Sequence, residues 1–118
     1  MRGSEPNGGQ LMYAHLDVSV TTNRSCTVVS VVGELDRHTL HRITDVAEAL
    51  TGQEYLVLDL RGLTFMDSSG LHLLLHLHRR VQAAGGSLEL SGARRPVLRV
   101  LDLTGTRALF TFSPRNAA

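Results

Sequence analysis

Hydrophobic and polar residues alternate near the start of the chain, where Leu16, Val18 and Val20 are separated by Asp17 and Ser19. A period of two is the pattern of a strand with one wet face. The segment TTNRS predicts a turn, and the β-branched stretch from Thr27 to Leu35 predicts a second strand that pairs with the first as a hairpin, closed by Gly33. From Asp36 the period changes. Leu40, Ile43, Ala47 and Leu50 recur at spacings of three and four, which predicts an amphipathic helix with Asp36 as its N-cap and Gly52 as its stop. Tyr55 to Leu60 is almost continuously apolar, the pattern of a central strand with helices on both sides.

The second half keeps alternating element types. A leucine-rich helix is predicted from Ser69 to about Ala84, stopped by Gly85 and Gly86, and Ser87 to Ser91 alternates as a strand. Arg95-Pro96 opens a further helix that turns Val97, Val100 and Leu101 inward and ends at Gly105, after which Ala108 to Phe112 forms a short last strand. Strands separated by helices of this length imply parallel crossovers. The expected architecture is an α/β domain, a mixed sheet of about five strands with a hairpin edge and helices packed against it. A flexible tail is expected at residues 1–12 and a single domain at 13–118, with no internal repeat.

Composition narrows the function. A chain of 118 residues with 42% hydrophobic content is one globular domain. Its 12 basic residues, all Arg, nearly balance 11 acidic ones, for a formal charge of +1. That balance supplies no broad field for nucleic acid or anionic lipid, so neither direct nucleic-acid binding nor membrane attachment is expected. No apolar run approaches the ~20 residues that span a bilayer. Cys26 stands alone, which excludes an intrachain disulfide, fits a reducing cytoplasm and predicts a small buried residue on a strand. The opening MRGSEPNGGQ lacks the apolar run of a secretory signal. A soluble, cytoplasmic protein is the expectation.

The candidate chemistry lies in FMDSSGLHLLLHLHRR, Phe65 to Arg80, where an acid and two hydroxyls open a helix. Stepping ~100° per residue puts Leu71, Leu74, Leu75, Leu77, His78 and Val81 on one arc, the core face. Ser69, His72, His76, Arg79 and Arg80 fall on the opposite, exposed arc. The serines fit either helix capping or phosphate acceptance. A hydrolase elbow requires G-x-S-x-G, whose first Gly is absent, and a phosphate-cradling loop requires a Lys that the chain lacks. His72 and His76 at i and i+4 have no evident third ligand, so no metal is expected. His78 is expected to be half-buried with a backbone partner. Asp36, Asp59 and Asp67 are placed at strand ends converging on one edge of the sheet, as caps or as functional groups.

Three segments, GELDRHT at Gly33 to Thr39, LVLDLRGLTFMDSSGL at Leu56 to Leu71 and GGSLELSGARRPVLRVLDLTG at Gly85 to Gly105, make the chain resemble the STAS-domain anti-sigma factor antagonists of bacteria from about Ala14 to Phe112. The resemblance implies a STAS fold and a partner-switching module, with no catalytic residues and no cofactor. In that family the unmodified antagonist binds an anti-sigma factor serine kinase and frees the sigma factor. Phosphorylation of the second serine of D-S-S-G, here Ser69, ends the interaction, and a serine phosphatase resets it. The expected partner-binding surface comprises Asp36, Asp67, Ser68, Ser69, Gly70, His72 and His76. Ser68 is expected to cap the helix with its oxygen engaged by an amide, leaving Ser69 exposed. A STAS scaffold or signalling adaptor that does not act on a sigma factor, and a small-ligand-binding STAS domain, are the alternatives.

Overall fold

The computed structural model describes residues 15–23, 26–50 and 55–113. The expected tail at 1–12, Gly52, part of the hairpin turn and the side chain of Ala47 lie outside the described residues. Strand β1 (Leu16–Asn23) pairs antiparallel with β2 (Cys26–Leu35), Leu16 standing opposite Gly33 and Asn23 opposite Cys26. Gly33 is needed at this corner. Its φ is +125° and a Cβ there would sit 2.1 Å from the His15 carbonyl oxygen. Beyond the hairpin come α1 (His41–Leu50), β3 (Tyr55–Met66), α2 (Ser68–Ala83), β4 (Ser87–Ser91), α3 (Arg95–Thr104), a 3₁₀ turn (Arg107–Leu109) and β5 (Thr111–Phe112). The sheet order is β1-β2-β3-β4-β5, parallel from β2 onward.

That order decides where the helices go. Each crossover from β2 to β5 steps one strand in the same direction, and a right-handed crossover repeated in one direction stacks every helix on the same face. The burial pattern agrees. In β3, Leu56, Leu58 and Leu60 are buried while Tyr55, Val57 and Asp59 are only half-buried, and Leu88 and Leu90 of β4 repeat the alternation. A single core joins these residues to Ile43, Leu74, Leu77, Val97 and Leu101 of the three helices. The expected helix layer on the second face of the central strand is therefore absent among the described residues. An apolar run reads as two-sided burial, but a one-directional winding leaves one face open.

Other departures are local. β3 continues to Met66, six residues past the expected end, through register shifts opposite Ser30/Val32 and Gly33/Glu34. The last strand is only Thr111–Phe112, because Arg107 to Leu109 wind into the 3₁₀ turn first. Cys26 lies on β2 as expected but is half-buried rather than buried. Asp59 lies in the body of β3 opposite Ser30 and Ser91, some seven residues before the strand's end, which at ~3.3 Å per residue is roughly 20 Å from the carboxyl edge. It belongs to no edge cluster.

Arg61 accounts for Asp59 instead. Its Nη2 lies 2.8 Å from Asp59 Oδ2 and its Nε 3.0 Å from Oδ1. This fork, opposed in part by desolvation, holds the Asp59 carboxyl below its ordinary value of 3.8. A carboxyl with a depressed folded pKa contributes stability that is present above the unfolded pKa and lost as pH falls through the folded one. Asp59→Asn is thus expected to melt slightly below the parent at neutral pH, with the gap closing in acid below pH 3.8. A gap that widened in acid would contradict the pairing; paired melting curves across that range check it. The effect is small, since the Arg61 side chain is 77% exposed.

Candidate functional site

Two parallel strands end side by side, Leu35 of β2 opposite Met66 of β3, and the chain leaves both at an acid. The Asp67 backbone N–H donates to the Leu35 carbonyl at 3.3 Å, so Asp36 and Asp67 follow the same rung of the sheet. This is the carboxyl edge, where open α/β sheets place function.

Asp36 folds its own loop. Its Oδ1 accepts the backbone N–H groups of His38 at 2.8 Å and Thr39 at 3.1 Å. Thr39 returns the bond, its Oγ1 accepting the Asp36 N–H at 3.1 Å and donating to the Glu34 carbonyl at 2.7 Å. The result is a reciprocal box closed by a Thr that is only 5% exposed. Thr39 had no role assigned from sequence, although an Asp-x-x-Thr spacing in GELDRHT carries the signal. Asp36 is not the N-cap of α1, as expected from periodicity: residues 37–40 form turns, and the helix begins at His41. Asp36 caps the turn that feeds it.

Asp67 is the N-cap of α2, in extended conformation, with Oδ1 accepting from Ser69 N–H at 2.9 Å and Gly70 N–H at 3.3 Å. The assignment of Ser68 as the cap is corrected by these bonds. Asp67 stands one residue earlier and takes the amides first, so Ser68 becomes the first helical residue, exposed and without a hydrogen bond to its hydroxyl among the described residues. The Ser69 hydroxyl is likewise unpartnered there, and its residue is half-buried rather than exposed as expected. Gly70 is buried because the helix start presses onto the strand ends: a Cβ would come 2.6 Å from Met66 Cγ and 2.9 Å from Leu35 Cγ.

Asp36, Asp67, Ser68, Ser69 and Gly70 are thus gathered at one edge. His72 and His76 lie farther down α2, both exposed, His76 roughly 10 Å along the axis from Ser69. Among the described residues no three His, Cys, Asp or Glu side chains gather as a metal site. His78 is half-buried as expected, with its ring 5.6 Å from that of Phe110, but in place of the expected backbone partner its buried Nδ1 has no hydrogen-bond partner among the described residues. A feature not singled out from sequence is Phe65, 46% exposed near the end of β3, two residues before Asp67. No helix among the described residues is long and apolar enough to cross a membrane.

The two faces of Asp36 can be separated. Asp36→Ala is expected to cost about 0.5 to 2 kcal/mol, since two amides lose their acceptor. Asp36→Asn keeps an acceptor oxygen, so it should melt close to the parent while removing the charge. If the Asn variant is as unstable as the Ala variant, the carboxylate's charge and not its geometry holds the loop; chemical denaturation of the three proteins distinguishes the cases.

A mixed five-stranded sheet with its helices on one face, and an acid-flanked serine at the carboxyl edge, define an α/β domain whose distinctive site is a helix start. The chain belongs to the STAS domain family, whose model matches residues 17–117. It is 34% identical over 103 residues to the anti-sigma F factor antagonist of Paenibacillus polymyxa, covering 85% of this chain and 86% of that protein. A crystal structure of an anti-sigma factor antagonist from Mycobacterium paratuberculosis is similar with a TM-score of 0.76 at 25% identity, covering 85% of this chain and 86% of that one. The Bacillus cell fate determinant SpoIIAA, solved in its phosphorylated form, shares the fold with a TM-score of 0.67 at 22% identity, covering 86% of this chain and 95% of that one.

Proposed function

We propose that this chain is an anti-sigma factor antagonist of the cytoplasm, a binding and regulatory protein rather than a catalyst. Its unphosphorylated form docks on an anti-sigma factor that is also a serine kinase, and the sigma factor is released. Phosphate transferred to Ser69 ends the docking, and a serine phosphatase restores it. The observation that carries the reading is the Ser69 hydroxyl, which has no hydrogen-bond partner among the described residues and stands in the first turn of α2, directly after the Asp67 cap. A hydroxyl engaged in capping would have to break a bond before accepting phosphate; this one does not. The names of the relatives point the same way, and SpoIIAA is described in a phosphorylated form.

In this reading Asp67 holds the helix start so that Ser69 keeps one position, Asp36 and its Thr39 box shape the adjoining rim, and Gly70 lets both lie flush on the sheet. His72 and His76 extend the docking surface along α2. The test is a titration of the chain into a complex of a sigma factor with its kinase anti-sigma factor from the same genome. Displacement of the sigma factor by the unmodified chain is expected. Failure to displace any sigma factor, with every such complex tested, would sink the proposal.

A further inference from the structure

A groove of about 500 Å³ lies on the outer side of α3, lined by Arg95, Leu98, Arg99, Asp102, Leu103 and Arg107. None of these residues belongs to the site at the carboxyl edge. Arg95, Arg99 and Leu103 recur every four positions, as do Leu98 and Asp102, so two neighbouring ridges of the helix form the wall. Leu103 is 78% exposed and Leu109, on the turn that follows, 55%. Three arginines against one aspartate make the lining +2, although the whole chain is only +1. Asp102 is moreover committed to Arg107, whose Nη1 lies 3.0 Å from its Oδ2, and the Arg107 guanidinium also faces the Phe112 ring at 5.9 Å. Arg95 and Arg99 have no ion pair among the described residues.

We infer that this groove is a second docking surface, and that its occupant is an acidic amphipathic helix of a partner protein. Two exposed guanidiniums one helical turn apart match two carboxylates at the same spacing, and Arg–carboxylate forks give such pairs direction as well as charge. Leu98 on the neighbouring ridge and Leu103 one turn beyond Arg99 fit an apolar side chain from the same helix. Neither feature alone would choose the partner: the charge excludes a basic segment, and the exposed leucines distinguish an amphipathic helix from a plain acidic tail. The surface is independent of the Ser69 switch, so it would let the protein hold one partner while exchanging another.

The test uses a fluorescent helical peptide of about five turns with Glu at i and i+4 beside a row of Leu, titrated into the full chain and followed by anisotropy. Saturable binding is expected, weakened at least about tenfold by Arg95→Glu combined with Arg99→Glu and by Leu103→Ser, and weakened by added salt. Ser69→Asp should leave it unchanged, which separates this surface from the switch. Both arginines are exposed, and Arg95→Gln with Arg99→Gln serves if the charge reversal lowers stability. Three results would overturn the inference: equal affinity in the arginine variants, equal affinity for a peptide whose leucines are replaced by serine, or binding to phosphatidylglycerol vesicles but not to the peptide.

Discussion

Gly70→Ala is expected to lower the melting temperature by roughly 10 °C, more than removal of either serine hydroxyl. In an exposed helix the same change would stabilise by up to about 1 kcal/mol, because alanine is the better helix former. Here the added methyl points at Met66 Cγ and Leu35 Cγ, at 2.6 and 2.9 Å, and Leu35 is fully buried. These atoms are mid-chain or branch points, so no free end can swing aside. Overpacking of a closed core costs about 1 to 3 kcal/mol, and its upper end applies, leaving a net loss of about 2 kcal/mol after the helix gain. The first turn of α2 must rise off the strand ends, carrying Ser69 with it. Partner binding should therefore weaken together with stability. A melting temperature within a degree of the parent would show that the helix start does not rest on the sheet as described.

Phosphorylation of Ser69 is expected to do the opposite, changing binding greatly and stability little. The phosphate adds about −1.5 to −2 charges to the first turn of a helix, where the macrodipole favours an anion by about 0.3 to 1 kcal/mol. That gain is limited here. The amides of Ser69 and Gly70 already donate to Asp67, so the phosphate arrives beside a carboxylate that holds the donors it would use. The two effects oppose each other, and the folding free energy should move by no more than about 1 kcal/mol. In the complex, a bulky dianion must be desolvated against a surface shaped for a hydroxyl next to two acids. Affinity for the kinase is expected to fall at least about tenfold, or roughly 1.4 kcal/mol. Ser69→Ala should bind but accept no phosphate, and Ser69→Asp should bind weakly. Melting curves and calorimetric titrations of the four forms decide the matter: a large loss of stability on phosphorylation would mean that the switch works by unfolding.

Much of this architecture was legible in the order of residues because the signals were local. The glycines after α2 and α3 stop their helices in left-handed geometry, Gly85 at φ +86° and Gly105 at φ +71°, and Pro96 sits in the first turn of α3. The alternation in β1 and β4, and the edge that joins Asp36 to Asp67, followed from period and length. What was not legible depends on competition or on tertiary winding. Asp67 and Ser68 are both good caps, and only the backbone geometry decides that Asp67 takes the amides. Asp36 looked like a helix cap because Leu40 and Ile43 keep helical spacing, yet the Thr39 box makes a turn first. The open face of the sheet comes from the direction of three successive crossovers, which no single strand records. Asp59 reads as an edge acid because it stands one residue before the end of the apolar run Tyr55 to Leu60, whereas the strand continues through Arg61 and Gly62 to Met66.

The most direct measurement is phosphosite mapping by mass spectrometry, after the full chain is incubated with ATP and a serine-kinase anti-sigma factor of the kind proposed as its partner. Ser68 and Ser69 are adjacent, both without a hydroxyl partner among the described residues, and Ser68 is the more exposed. Simple accessibility would therefore favour Ser68. If docking along Asp36, Asp67 and α2 presents the site, phosphate is expected on Ser69 alone, with none gained in Ser69→Ala and normal incorporation in Ser68→Ala. Phosphate on Ser68, or a kinase that binds the chain and modifies neither serine, would contradict the account.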